Sequence, residues 1–284
     1  MPQISNTPGK SADAKPIRVR QMLGKYRIEK KVGQGGFSTV FAAYDTIEGV
    51  RVALKVPHGT LVNDELMEMF RKEVRIVAKL EHPNVLQLKD ASLIDNHLVV
   101  VSMLGNQTLN DRLKKRLSVA KAFEFSRQMI AAVAYAHEKG LIHCDIKPEN
   151  FILFDDDRLR LGDFGIAKVS WKTIQGSGTG TVGHIAPEQA MGKPSARSDV
   201  FSLGLIMYRM LTGSWPEFPF DWPFPNAKQL KRKLVHPEMV ALIRRALAVK
   251  PRDRFADATI MQRQFERLLP KSIRFLQDKK NGSR

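Results

Sequence analysis

The chain has 284 residues, 43% of them hydrophobic, and its 46 Lys and Arg against 29 Asp and Glu give a formal net charge of +17. That length suits one large domain or two packed lobes with a sizeable core, and the single cysteine, Cys144, excludes an internal disulfide and most zinc cages. No unbroken apolar run is long enough to cross a bilayer, and the opening MPQISNTPGKSADAKP lacks the apolar centre of a signal peptide. A cytoplasmic location is expected, either for this chain or for a longer protein of which it would be the cytoplasmic part.

In chain order, residues 1–22 are polar with scattered Pro and Gly and predict a flexible basic arm. From Tyr26, YRIEKKVGQGGFSTVFAAYD and GVRVALKVP alternate apolar with polar, the pattern of antiparallel strands. Asn63 or Asp64 is placed to cap a helix running to Leu80, before Pro83. Two more strands are expected around VLQLKDASL and NHLVVVSM. Beyond Gly105 the chain turns helical. Leu117 to Lys139 is apolar at helical spacing, with Gly140 as its stop. Two short strands, Phe151 to Phe154 and Leu159 to Leu161, flank a DDD turn. Ser198 to Leu211 is apolar on nearly every side and predicts a buried helix. GSWPEFPFDWPFP reads as an ordered surface loop, and Met239 to Val249 and Ile260 to Leu269 as amphipathic helices. The division expected is therefore an arm at 1–22, a sheet with one helix at 23–104, a mainly helical region at 105–270, and a tail or linker at 271–284.

Positive charge is densest from Lys228 to Arg254, where nine Lys or Arg face only Glu238 and Asp253. A solvated basic face explains this, as does attraction to an acidic partner. No nucleic-acid motif accompanies it and no aromatic residues interleave with the charges, so no specific nucleic-acid partner is expected.

Two short stretches carry the chemistry, HCDIKPEN from His143 to Asn150 and DFG from Asp163 to Gly165. They supply Asp145, Asn150 and Asp163, oxygen ligands of the kind a phosphoryl-transfer site needs. One carboxylate can orient an incoming hydroxyl and take its proton, while a second carboxylate and an amide can hold magnesium, which prefers oxygen. Upstream, GQGGFSTV from Gly33 to Val40 lets backbone approach phosphates closely. Lys55 on the following strand can reach those phosphates. Glu73, on the inward side of the next helix, needs a partner that Lys55 can provide.

The order of Gly-rich loop, strand lysine, helix glutamate, HCDIKPEN, DFG and APE resembles the eukaryotic-type serine/threonine protein kinase family over residues 25–268. The resemblance implies an α+β, bilobal protein kinase fold. Its N-lobe would be a twisted antiparallel sheet with one helix and its C-lobe mainly α-helical. It implies that Gly33, Gly35 and Gly36 cover ATP, and that Val40, Ala53 and Ile152 enclose adenine beside a hinge at Val101 and Met103. Lys55, held by Glu73, would bind phosphates. Asp145 would orient the acceptor hydroxyl, Lys147 would neutralise the moving phosphoryl group, and Asn150 and Asp163 would bind Mg2+ or Mn2+. Glu188 would pair with Arg254, and Asp199 would bond the catalytic loop. Val77, His143 and Phe164 would stack in a spine. Thr181 would contact Asp145 and Lys147, as in the serine/threonine branch, so the implied substrates are Ser or Thr side chains of proteins, with transient self-association.

Three positions depart from the family pattern. Ser38 replaces a third glycine, and Ser102 stands where the hinge often has an acidic residue. Cys144 precedes the catalytic aspartate where many regulated members have arginine, and a thiol cannot make the bidentate phosphate contact that arginine makes. The expectation is an active, non-RD kinase that depends little on phosphorylation of Thr173, Ser177 or Thr179 in its activation segment. A pseudokinase scaffold and a small-molecule kinase are the rival readings. The first usually lacks one of the lysine, aspartate and asparagine present here, and the second usually lacks the DFG and APE segment.

Overall fold

In a computed structural model of the chain the residues described are 16–36, 38–58, 64–164 and 185–281, without the side chains of residues 64–66, 69, 73, 156, 280 and 281. They form two compact units. One comprises the residues up to Lys79 with Gln87–Leu104; the other comprises Leu80–Leu86, Gly105–Phe164 and residues 185–281.

The first unit is a six-stranded antiparallel sheet and a helix. Strands β1 (Met22–Leu23), β2 (Tyr26–Gln34), β3 (Ser38–Asp45), β4 (Val50–Pro57), β5 (Leu88–Ile94) and β6 (His97–Met103) run in the order β1-β2-β3-β4-β6-β5. Alternation along β4 sets its two faces. Val52, Leu54 and Val56 are buried in a core shared with Phe41, Ala43, Val99 and Val101, while Ala53 and Lys55 between them are half-buried. Helix α1 (Asp64–Val77) ends three residues before the expected Leu80. The proline at 83 disfavours helix in the residue before it, and Leu80 already belongs to the core of the second unit.

The second unit is mainly helical, as expected, around a small sheet β7-β8-β9 (Gln107–Thr108, Phe151–Leu153, Leu159–Leu161). Its helices are α2 (Leu109–Arg112), α3 (Val119–Glu138), α4 (Pro187–Ala190), α5 (Ala196–Thr212), α6 (Lys228–Arg232), α7 (Pro237–Ala246) and α8 (Ala258–Asn281). Ser118 caps α3, its hydroxyl accepting from the Lys121 N–H. Gly140 ends it at φ +73, with Leu141 N–H bonded to Ala136 O and Gly140 N–H to His137 O. Every residue of α5 from Ser198 to Thr212 except Arg209 is buried, as its all-round apolar sequence demands. The aromatic loop after Gly213 is ordered against it, with Phe220 edge-on to Phe201 and the Tyr208 hydroxyl donating to Pro225 O at 2.8 Å.

The stretch expected to be a tail continues α8 through Pro270 to Asn281. Phe265, Leu268, Ser272 and Leu276 recur on one buried stripe, and Phe275 meets His236 edge-on. Burial of that stripe outweighs the one backbone hydrogen bond that an exposed proline removes.

Gly105, at the start of the second unit, lies so close to β8 that a Cβ there would overlap Ile152 Cγ2 and sit 3.0 Å from Leu153 O. Gly105→Ala is expected to lower stability by about 1–3 kcal/mol, the usual result of overpacking, measured as the shift in the denaturant midpoint.

Candidate active site

In the first unit, β3 and β4 bring three of the candidates, Val40, Ala53 and Lys55, onto one face. Val40 lies opposite Lys55 and Ala42 opposite Ala53, and directly opposed residues project to the same side of a sheet. Gly33 pairs with Val40, and the turn beyond it closes through Gly35 N–H to Ser38 O at 2.9 Å. Added Cβ atoms at Gly33 and Gly36 would meet no described atom within 4 Å. Packing within the described chain therefore does not require those glycines, whereas close approach of a ligand would. Glu73 lies on α1, but its side chain is outside the description, so its pairing with Lys55 is too.

The register of β6 sets which of its side chains share that face. Val101 pairs with Leu54 and is 1% exposed in the sheet's buried core, so its side chain is on the face opposite Lys55. Ser102 pairs with Ala53 and Val100 with Lys55. Val100 and Ser102 are thus the β6 residues on the candidate face; Val100 is absent from the sequence reading, and Ser102 enters it only as a departure at the hinge. Met103 ends the strand opposite Val52 and is exposed.

In the second unit a dense hydrogen-bond network shapes the loop between α3 and β8. The buried Asp199 carboxylate of α5 receives the N–H groups of His143 (2.7 Å) and Cys144 (2.8 Å) and lies 3.0 Å from His137 Nε2. His137 Nδ1 accepts from the Ala258 N–H, so its proton is on Nε2, directed at Asp199. His143 is held alike. Its Nδ1 accepts from the Asp145 N–H at 3.2 Å and its Nε2 donates to Gly162 O at 2.9 Å. His137 was not anticipated, because a histidine on an apolar helix carries no signal beyond its six-residue spacing from His143.

This frame presents the chemistry. Asp145 is exposed, and its Oδ2 receives Lys147 Nζ at 2.9 Å and Asn150 Nδ2 at 3.1 Å. Its Oδ1 takes no hydrogen bond from any described residue. The Asn150 amide also donates to Asp145 O at 2.8 Å, which turns its Oδ1 away from the loop. Gly162 N–H bonds to Asn150 O, tying the residue before Asp163 to the same loop. Asp163 is exposed at φ +63, and Phe164 packs edge-on to His143 at 4.9 Å. Ile152 is half-buried on β8.

Among the described residues no group of three or more His, Cys, Asp or Glu side chains is placed to hold a metal ion. The oxygens of Asn150 and Asp163 are few and hard, a set that suits magnesium sharing its coordination with nucleotide phosphates.

Glu188 on α4 and Arg254 form a buried pair, with Nη–Oε distances of 2.7 and 3.1 Å. Arg254 also donates to the carbonyls of Arg197, Ala248 and Val249, which engages all five of its donors. Burial opposes ionisation of Glu188, but the hydrogen bonds from Arg254 and Ser198 prevail and hold its carboxyl below the usual range. A depressed carboxyl pKa stabilises the fold above the unfolded value of about 4.3 and loses that contribution as pH falls through the folded value. Below about pH 4.3 the stability of the wild type is therefore expected to fall more steeply than that of Glu188→Gln, as chemical denaturation across the acid range would measure.

Thr173, Ser177, Thr179 and Thr181 lie outside the described residues.

The comparisons with known proteins agree with this geometry. Residues 26–266 match the family model described as the protein kinase domain. A probable serine/threonine-protein kinase of Clostridium acetobutylicum is 31% identical over 255 residues, 84% of this chain and 39% of that protein. PknL of Mycobacterium tuberculosis is 31% identical over 269 residues, 88% of this chain and 67% of its own length. The PknI kinase domain of M. tuberculosis shares the fold, with a TM-score of 0.67 at 23% identity, covering 89% of this chain and 99% of that one. The chain belongs to the protein kinase family, in its serine/threonine branch. It spans from about a third to two thirds of the length of the curated relatives it matches. No helix among the described residues is long and apolar enough to cross a membrane.

Proposed function

We propose that this chain is an active, ATP-dependent serine/threonine protein kinase that phosphorylates proteins, itself included. The observation that carries the reading is the arrangement around Asp145. One carboxylate oxygen is occupied by Lys147 and Asn150, and the other is left to receive a hydroxyl. In the proposed reaction Asp145 Oδ1 accepts a hydrogen bond from the acceptor Ser or Thr and aims its oxygen at the γ-phosphorus. As that oxygen bonds to phosphorus, the bond to the β-phosphate oxygen breaks and ADP leaves. The hydroxyl proton passes to Asp145, and Lys147 offsets the charge of the phosphoryl group in transit. Gly33, Gly35, Gly36, Val40, Ala53 and Lys55 are assigned to the nucleotide. Ile152 is assigned to adenine, and the backbone of Val101 and Met103 to the hinge. Asn150 and Asp163 would hold magnesium, whose contribution when bound is to neutralise phosphate charge.

The protein would act in the cytoplasm, and its charge of +17 favours acidic substrates. Cys144 makes it a non-RD kinase. Replacing Thr173, Ser177 and Thr179 together with alanine is expected to leave kcat within about threefold of wild type, because no arginine precedes Asp145 to read a phosphate there. A loss of most of the rate would contradict that regulation. The function itself is tested by transfer of labelled γ-phosphate from Mg-ATP to the chain and to a generic protein acceptor. Label on Ser or Thr, absent with Asp163→Ala, is expected; ATP binding without transfer would contradict it.

A further inference from the structure

Gln189, beside Glu188 on α4, has no role in the chemistry above, yet its side chain reaches the catalytic loop. Its amide lies 2.6 Å from Cys144 O, and only the NH2 end of an amide can face a carbonyl oxygen at that separation. The peptide group concerned is the one that joins Cys144 to Asp145. Its carbonyl is held by Gln189 and its N–H by His143 Nδ1. A peptide group is a rigid plane, so fixing both ends sets the direction in which the Asp145 Cα leaves it.

That plane needs holding. Cys144 sits at φ +60, a left-handed conformation that is unfavourable for a residue other than glycine. Asp199 secures the N–H on the other side of Cys144. The base of Gln189 is itself fixed, because its neighbour Glu188 is locked to Arg254.

We propose that Gln189 is a positioning residue for phosphoryl transfer, clamping the Cys144–Asp145 peptide so that the Asp145 carboxylate is aimed at the acceptor hydroxyl. This rests on the kinase reading. The clamp acts in the plane of the backbone, needs no phosphate, and stands beside the position where Cys144 offers no charge.

The test compares wild type, Gln189→Met and Gln189→Glu in steady-state phosphorylation of a protein acceptor, with thermal midpoints measured in parallel. Methionine keeps the length of the side chain and loses the donor. It is expected to lower kcat about tenfold while KM for ATP stays within about twofold, since misaimed chemistry and not binding is affected. In Gln189→Glu the carboxylate repels the carbonyl near neutral pH, whereas its protonated form donates as glutamine does. Activity relative to wild type at the same pH is therefore expected to recover as pH falls from 7.5 towards about 5.5, with no such recovery in the methionine variant. A kcat within about twofold of wild type in a folded Gln189→Met overturns the proposal. So does a loss that tracks the thermal midpoint, moves kcat and KM together and shows no acid recovery in Gln189→Glu. If the methionine variant does not fold, the pH profile of the glutamate variant decides alone. A wild-type chain that transfers no phosphate refutes the kinase reading instead, a distinguishable result.

Discussion

Asp145→Asn is expected to reduce kcat for phosphate transfer by about 10²- to 10⁴-fold, the range for loss of a positioned proton acceptor. The substitution preserves size and can keep contacts at the former Oδ2 position. What it removes is the negative charge that attracts Lys147 and the oxygen that takes the hydroxyl proton. The network around the loop is largely independent of that side chain. His143, Cys144 and the main chain of Asp145 are held by Asp199, Gly162 and each other. The thermal midpoint is accordingly expected to stay within about 2 °C of wild type, and ATP affinity within about threefold. Rate, midpoint and nucleotide titration on one preparation separate a chemical defect from a folding defect.

The largest effect on stability is expected at Arg254. Arg254→Ala leaves Glu188 buried with one hydrogen bond from another side chain, that of Ser198 (2.7 Å), and removes a donor from each of three backbone carbonyls. Removing one partner from a buried pair costs about 3–5 kcal/mol, which for a chain of this size lowers the thermal midpoint by about 10 °C. Lysine is not expected to rescue it, because one ammonium with three donors cannot span two carboxylate oxygens and three carbonyls. Calorimetry of Arg254→Ala and Arg254→Lys checks both expectations. A midpoint within about 2 °C of wild type for the alanine variant would show that the pair contributes little.

The parts of the fold legible in the sequence were those where the apolar pattern has one solution. In β4, the buried Val52, Leu54 and Val56 of VRVALKV alternate with Ala53 and Lys55, so Ala53 and Lys55 fall on one face. β6 contains the run Val99-Val100-Val101, which has no alternation, so its faces depend on register with β4. That register places Ser102, not Val101, beside Ala53. α8 runs on past Leu269, where the expected helix ends, and the stripe of Leu268, Ser272 and Leu276 that carries it through Pro270 is visible only once its packing is known. The loop from His143 to Asn150 was the most legible part of the site, since phosphoryl transfer leaves few choices of residue type. The groups that aim it were not. Gln189 and His137 act through an ordinary amide and an ordinary imidazole, and they gain meaning only from the distances they span.

The central claim is that Asp145 carries serine/threonine phosphorylation. It is tested most directly by locating phosphate by mass spectrometry on an acceptor protein incubated with Mg-ATP and either wild type or Asp145→Asn. The account predicts phosphoserine and phosphothreonine with wild type and, over the same time, at least about 100-fold less with the variant. Equal phosphorylation by the two proteins, or phosphate on tyrosine alone, would contradict it.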